Sequence, residues 1–62
     1  MTEYRVVYKR RTRRRDYHSV PYHTLAGAEE CYAQLTRALG ERLEWIRVER
    51  REVGAWDAVD TP

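Results

Sequence analysis

Tyr4-Arg5-Val6-Val7-Tyr8-Lys9 is the stretch whose reading decides the fold. Its aromatic and β-branched residues suit a pleated, half-buried surface. Alternation places Tyr4, Val6 and Tyr8 on one face and Arg5, Val7 and Lys9 on the other. The pattern predicts a strand over about 3–11, in the middle of a small sheet, with the first set turned inward. It runs straight into Arg10-Arg11-Thr12-Arg13-Arg14-Arg15, the densest charge in the chain, which reads as a basic hairpin tip.

Beyond the tip, Asp16-Tyr17-His18-Ser19-Val20-Pro21-Tyr22 predicts a second strand over about 15–22. No Asn-Gly or Asp-Gly marks a two-residue turn, so a longer loop around Thr12-Arg13-Arg14 is expected. Placing Arg11 opposite Arg15 pairs Tyr8 with His18, Val6 with Val20 and Tyr4 with Tyr22, which keeps the apolar set on one face and brings His18 beside Tyr8. Pro21 has no N–H to give to a ladder, so this strand belongs at an edge.

Thr24 suits a helix N-cap, and Gly40 falls where a left-handed C-cap belongs. Between them Leu25, Ala28, Cys31, Tyr32, Leu35, Ala38 and Leu39 recur at helical spacing, predicting a helix over 25–39. Glu29 and Glu30 come early in it, toward the positive end of its dipole. A third, longer strand is predicted over 43–53. Set antiparallel to the first strand with Val6 opposite Val48, it pairs Tyr8 with Ile46, Arg5 with Glu49, Arg10 with Glu44 and Glu3 with Arg51. Each such pair contributes only about 0.2–1 kcal/mol. A one-residue slip would lose them and turn Ile46 and Val48 to the wrong face. The expected architecture is α+β: a ββαβ two-layer domain spanning 1–62, with a three-stranded antiparallel sheet of order 2-1-3 and one helix on one face. Met1 and Thr2 read as a loose end. Residues 54–62 read as a short acidic tail with Trp56 as an anchor.

A chain of 62 residues buries only about 60% of its unfolded surface, so its margin of stability is thin. Cys31 is the single cysteine, so no disulfide can form within the chain. No apolar run is long enough to span a bilayer and no signal peptide is evident, which points to the cytoplasm. The net charge of +2 is unevenly spread: residues 1–18 carry +5 and residues 19–62 carry −3. A polarised chain attracts an anionic partner, or a second copy of itself. Eleven of the twelve basic residues are Arg, Asn and Phe are absent, and Ile46 is the only isoleucine. These depleted residues share AT-rich codons, so a GC-rich genome accounts for the Arg bias without any phosphate-binding role.

Catalytic, cofactor and metal chemistry find little support. His18 and His23 share no strand or helix spacing, and Cys31 lies on the helix's apolar stripe, where a free thiol behaves as a small hydrophobe. No Gly-rich phosphate loop or zinc spacing is present. No catalytic residue, cofactor or metal is therefore expected. Two features remain. Arg10, Arg11, Arg13, Arg14 and Arg15 on a projecting hairpin suit anion or nucleic-acid contact, or else form a solvated tip. On the sheet face that one helix cannot cover, the register gathers Arg5, Val7, Lys9, Tyr17, Trp45 and Arg47. Lys9 would lie opposite Trp45 at cation–π distance. Residues of these types recur at protein interfaces, so this face is the expected protein-contact surface, unless Trp56 and the tail fold back over it.

The order of elements, with Tyr4-Arg5-Val6-Val7-Tyr8, Thr24-Leu25-Ala26-Gly27-Ala28-Glu29 and Val48-Glu49-Arg50-Arg51-Glu52-Val53-Gly54, resembles small uncharacterised proteins encoded by bacteriophages of actinobacteria. The resemblance implies a protein made inside a bacterial cell that acts by binding a host component. The sheet also resembles the three-stranded, one-helix DNA-binding domains of phage integrases, although those place the helix after all three strands. The expected function is that of a non-enzymatic interaction protein, binding a host protein or a second copy through the open sheet face and basic hairpin. The alternative is nucleic-acid binding through phosphate contacts from the Arg-rich hairpin.

Overall fold

A computed structural model describes residues 2–52 and 54–59. Met1 and the predicted end of the third strand at Val53 lie outside the described residues, as do positions 60–62 of the predicted tail. Within them the chain forms β1 (Glu3–Arg10), β2 (Asp16–His18), α1 (Leu25–Leu39), a 3-10 turn (Gly40–Arg42), β3 (Leu43–Arg51) and β4 (Asp57–Val59). The architecture is α+β, with one helix and an antiparallel sheet. The sheet has four strands in the order β2-β1-β3-β4, where three were expected; the predicted acidic tail supplies the fourth.

The central ladder follows the charge pattern. In the β1–β3 register Val6 lies opposite Val48, Tyr8 opposite Ile46, Arg5 opposite Glu49 and Glu3 opposite Arg51. One expected pair is absent. The register shifts between Lys9 and Arg10, so Arg10 faces Leu43, and the extra residue Glu44 forms its ion pair with Lys9 instead. Arg11 N–H then donates to the Arg42 carbonyl at 2.8 Å, which carries the chain off the sheet.

The β1–β2 register differs by one residue from the expected one. Val7 faces His18, Tyr8 faces Tyr17 and Lys9 faces Asp16. Further along, Tyr4 and Tyr22 pair as expected. Three residues, Ser19 to Pro21, therefore oppose two on β1, which is a bulge. Its cause lies in Ser19. The Ser19 N–H donates to the Val6 carbonyl at 2.8 Å, and the Val6 N–H donates to the Ser19 hydroxyl at 2.9 Å. A side-chain oxygen thus replaces the ladder carbonyl. The shift moves Asp16 from opposite Arg10 to opposite Lys9, so the opposite-charge pair at this end is kept.

The helix begins and ends at its predicted residues. The Thr24 hydroxyl accepts from Gly27 N–H at 3.1 Å, which satisfies one orphan donor. Glu29 and Glu30 start only in the second turn, so no acidic side chain lies in the first. An added Cβ at Gly27 would come within 3.2 Å of Tyr22 Cδ1, so glycine lets the helix start lie close against the segment that leaves the sheet. At the other end Gly40 has φ 48° and ψ −118°, and its N–H reaches the Thr36 carbonyl. That conformation is essentially restricted to glycine. Nothing lies within 4 Å of an added Cβ there, so the cost of a side chain is pure backbone strain. Gly40→Ala is expected to lower stability by about 1–3 kcal/mol in a urea melt, with no change in the denaturant slope.

The core is small. Val6, Ala28 and Val48 are fully buried, and Tyr4, Tyr22, Cys31, Tyr32, Leu35, Ile46 and Val59 pack around them. Helix α1 rests on β1 and β3 alone among the strands it contacts closely. Val59 brings β4 into this core from opposite Val48.

Candidate functional site: the open sheet face and the basic hairpin

Strand alternation carries Glu3, Arg5, Val7 and Lys9 to the face opposite the helix, with Trp45, Arg47, Glu49 and Arg51 beside them on β3. Five of the six expected interface residues fall here: Arg5, Val7, Lys9, Trp45 and Arg47. Tyr17 does not. The bulge places it opposite Tyr8 on the helix side, where the two rings stack at 5.5 Å. His18 takes the opposite course. It faces Val7 on the open side rather than sitting beside Tyr8. Val7 itself is only 4% exposed, with Arg47 and His18 across its two ladders, so it offers no contact surface.

The face is a ladder of charges. Glu49 is buried, with 7% of its surface exposed, and bridges two guanidiniums. Its Oε1 accepts from Arg5 at 2.8–2.9 Å and its Oε2 from Arg47 at 2.9 Å. Arg51 Nε donates to Glu3 Oε1 at 3.0 Å. A buried carboxylate needs such partners, since an unpaired one would bear a large desolvation cost. The cations also cover the aromatics. Arg47 lies 4.6 Å over Trp45, which takes the place of the expected Lys9–Trp45 contact, because Lys9 is drawn to Glu44. Trp56 folds back onto the face, with Arg5 at 4.3 Å and Arg51 at 4.5 Å from its ring. A cavity of about 350 Å³ opens between Trp56 and the Ser19–Pro21 bulge.

The hairpin tip contrasts with this face. Arg11, Arg13, Arg14 and Arg15 are exposed, and none of them is ion-paired among the described residues. Arg13 N–H closes the turn onto the Arg10 carbonyl at 3.1 Å, and Arg11 Nε donates to the Leu43 carbonyl at 3.3 Å. Arg10 is half-buried at the base, its Nε shielded and without a partner among the described residues. It belongs to the stem rather than to the projecting charge.

Of the residues weighed for catalysis, His18 lies on the open side of the sheet and Cys31 against the core on the helix side, so the two do not meet. Cys31 packs against the core beside Tyr22, whose phenol is pushed above its ordinary value by hydrogen bonding to Cys31, then by the negative charge Cys31 carries as a thiolate and by burial. His18 Nδ1 lies 3.4 Å from the Ser19 carbonyl. Among the described residues no group of three His, Cys, Asp or Glu side chains is placed to hold a metal ion. No helix among them is long and apolar enough to cross a membrane. His18, Ser19, Arg51 and Trp56 gather around the cavity, and charge pairing in the sequence could not have found them, since Asp16 meets a cation in both the expected and the observed register.

No family model, curated protein or solved structure matches the chain.

Proposed function

We propose that the chain is a non-enzymatic interaction protein that grips the phosphate backbone of nucleic acid with its basic hairpin. One observation carries the reading. Among the described residues, Arg5, Arg47 and Arg51 on the sheet are each held by a carboxylate, whereas Arg11, Arg13, Arg14 and Arg15 are exposed and meet none. Four guanidiniums within five positions create a strong local positive potential. Each can fork onto a phosphate with two parallel hydrogen bonds. Such contacts give affinity and orientation without reading sequence. The test is a mobility-shift titration with duplex DNA. Retardation at low salt that disappears when Arg13, Arg14 and Arg15 become Ala supports the reading. Free migration of the DNA at low salt removes it.

A second reading, contact with a host protein or a second copy through the open face, draws on Trp45. Its indole is half-buried beneath Arg47 at the end of the sheet away from Trp56. Trp45→Ala is then expected to leave the fold intact and to lower the mass seen by light scattering at high protein concentration. An identical mass for wild type and variant eliminates self-association through this indole. Both readings assume a bacterial cytoplasm, as the resemblance to phage-encoded proteins implies.

A further inference from the structure

We propose that the cavity between Trp56 and the Ser19–Pro21 bulge is a binding site for a small aromatic carboxylate. The site stands apart from the hairpin: it adjoins Arg5 and Arg51, toward the start of β1, whereas the tip arginines follow its end. Its volume of about 350 Å³ falls at the lower end of the range for clefts that take small ligands.

The walls have two characters. Arg5 and Arg51 supply charge on one side. Among the described residues the three guanidiniums of Arg5, Arg47 and Arg51 share the two carboxylates of Glu3 and Glu49, which leaves an excess of positive charge there. Arg51 meets Glu3 through Nε, which leaves its terminal nitrogens to donate elsewhere. They can hold a carboxylate as a fork. The other side is apolar. Val20 and Pro21 line it together with the Trp56 ring. Val20 is 71% exposed, so its methyl groups at the cavity wall are open to a ligand. A flat apolar body lying against Val20 and Pro21 would remove that surface from water while its carboxylate reaches Arg51. A neutral compound of the same shape forfeits the second contact, and inorganic phosphate forfeits the first.

The test uses the full chain and 2-naphthoate, read through the indole N–H resonance of Trp56. A saturable shift with a midpoint in the millimolar range or tighter is expected. Neutral 2-naphthamide should bind about tenfold more weakly, and so should naphthoate to Arg51→Gln. Val20→Glu sets a negative charge at the mouth from an exposed position, so it should remove naphthoate binding while the fold persists. The Arg13, Arg14 and Arg15 triple alanine variant should bind naphthoate like wild type, which separates this site from the phosphate reading. An indole resonance that never saturates, equal binding of the amide, an equal shift with inorganic phosphate, or undiminished binding in Val20→Glu would each overturn the proposal.

Discussion

Affinity for duplex DNA is expected to fall about a hundredfold between 50 and 200 mM monovalent salt. The figure comes from the four tip arginines, Arg11, Arg13, Arg14 and Arg15, which form no ion pair among the described residues. Each phosphate neutralised releases condensed counterions, and four of them give a slope of about −3.6 in log affinity against log salt. Replacing Arg13, Arg14 and Arg15 with Ala leaves Arg11, so the slope should shrink to about −0.9 and most of the low-salt affinity should vanish. Val6 and Val48 are remote from the tip in the sheet register, so the triple variant should melt like wild type. A wild-type slope near zero, or a triple variant with the parent's slope, would show that these arginines do not meet phosphate.

Val48→Ala should cost about 2–3 kcal/mol of stability. Two methyl groups are lost from a fully buried site, and the space they leave is bounded by Val6 across one ladder, Val59 across the other and Ala28 above. Two of those neighbours sit on paired strands, whose backbones cannot close in without breaking ladder bonds. The loss is large for this chain, because a domain of 62 residues has a total stability of only about 3–9 kcal/mol. Val20→Ala makes the comparison. It removes the same groups from a residue that is 71% exposed, so its effect should stay within about 0.5 kcal/mol. Urea midpoints measure both. Equal shifts for the two variants would mean that Val48 is not the centre of the core.

The candidate surfaces were legible to different degrees. The tip arginines announce themselves as a run, and the structure leaves them exposed. The open face was legible only in outline. Arg5, Trp45 and Arg47 follow from β-alternation once β1 and β3 are aligned, but the burial of Val7 depends on neighbours contributed by two other strands. Tyr17 and His18 exchanged faces because one residue was inserted at the bulge, and a period of two turns any such insertion into a change of side.

By itself the sequence determined the helix from Thr24 to Gly40 and the pairing of β1 with β3. The first is marked by a capping hydroxyl and a glycine at positive φ, the second by long alternating strands whose opposite charges fit only one register. Only the tertiary structure decided the β2 register, the fourth strand and the seat of Trp56. β2 and β4 have three residues each, too few for alternation to specify a partner. Their places come from what the longer strands already present: a Val6 N–H that the Ser19 hydroxyl can satisfy, the flank of Val48 for Val59, and two guanidiniums that hold the Trp56 ring.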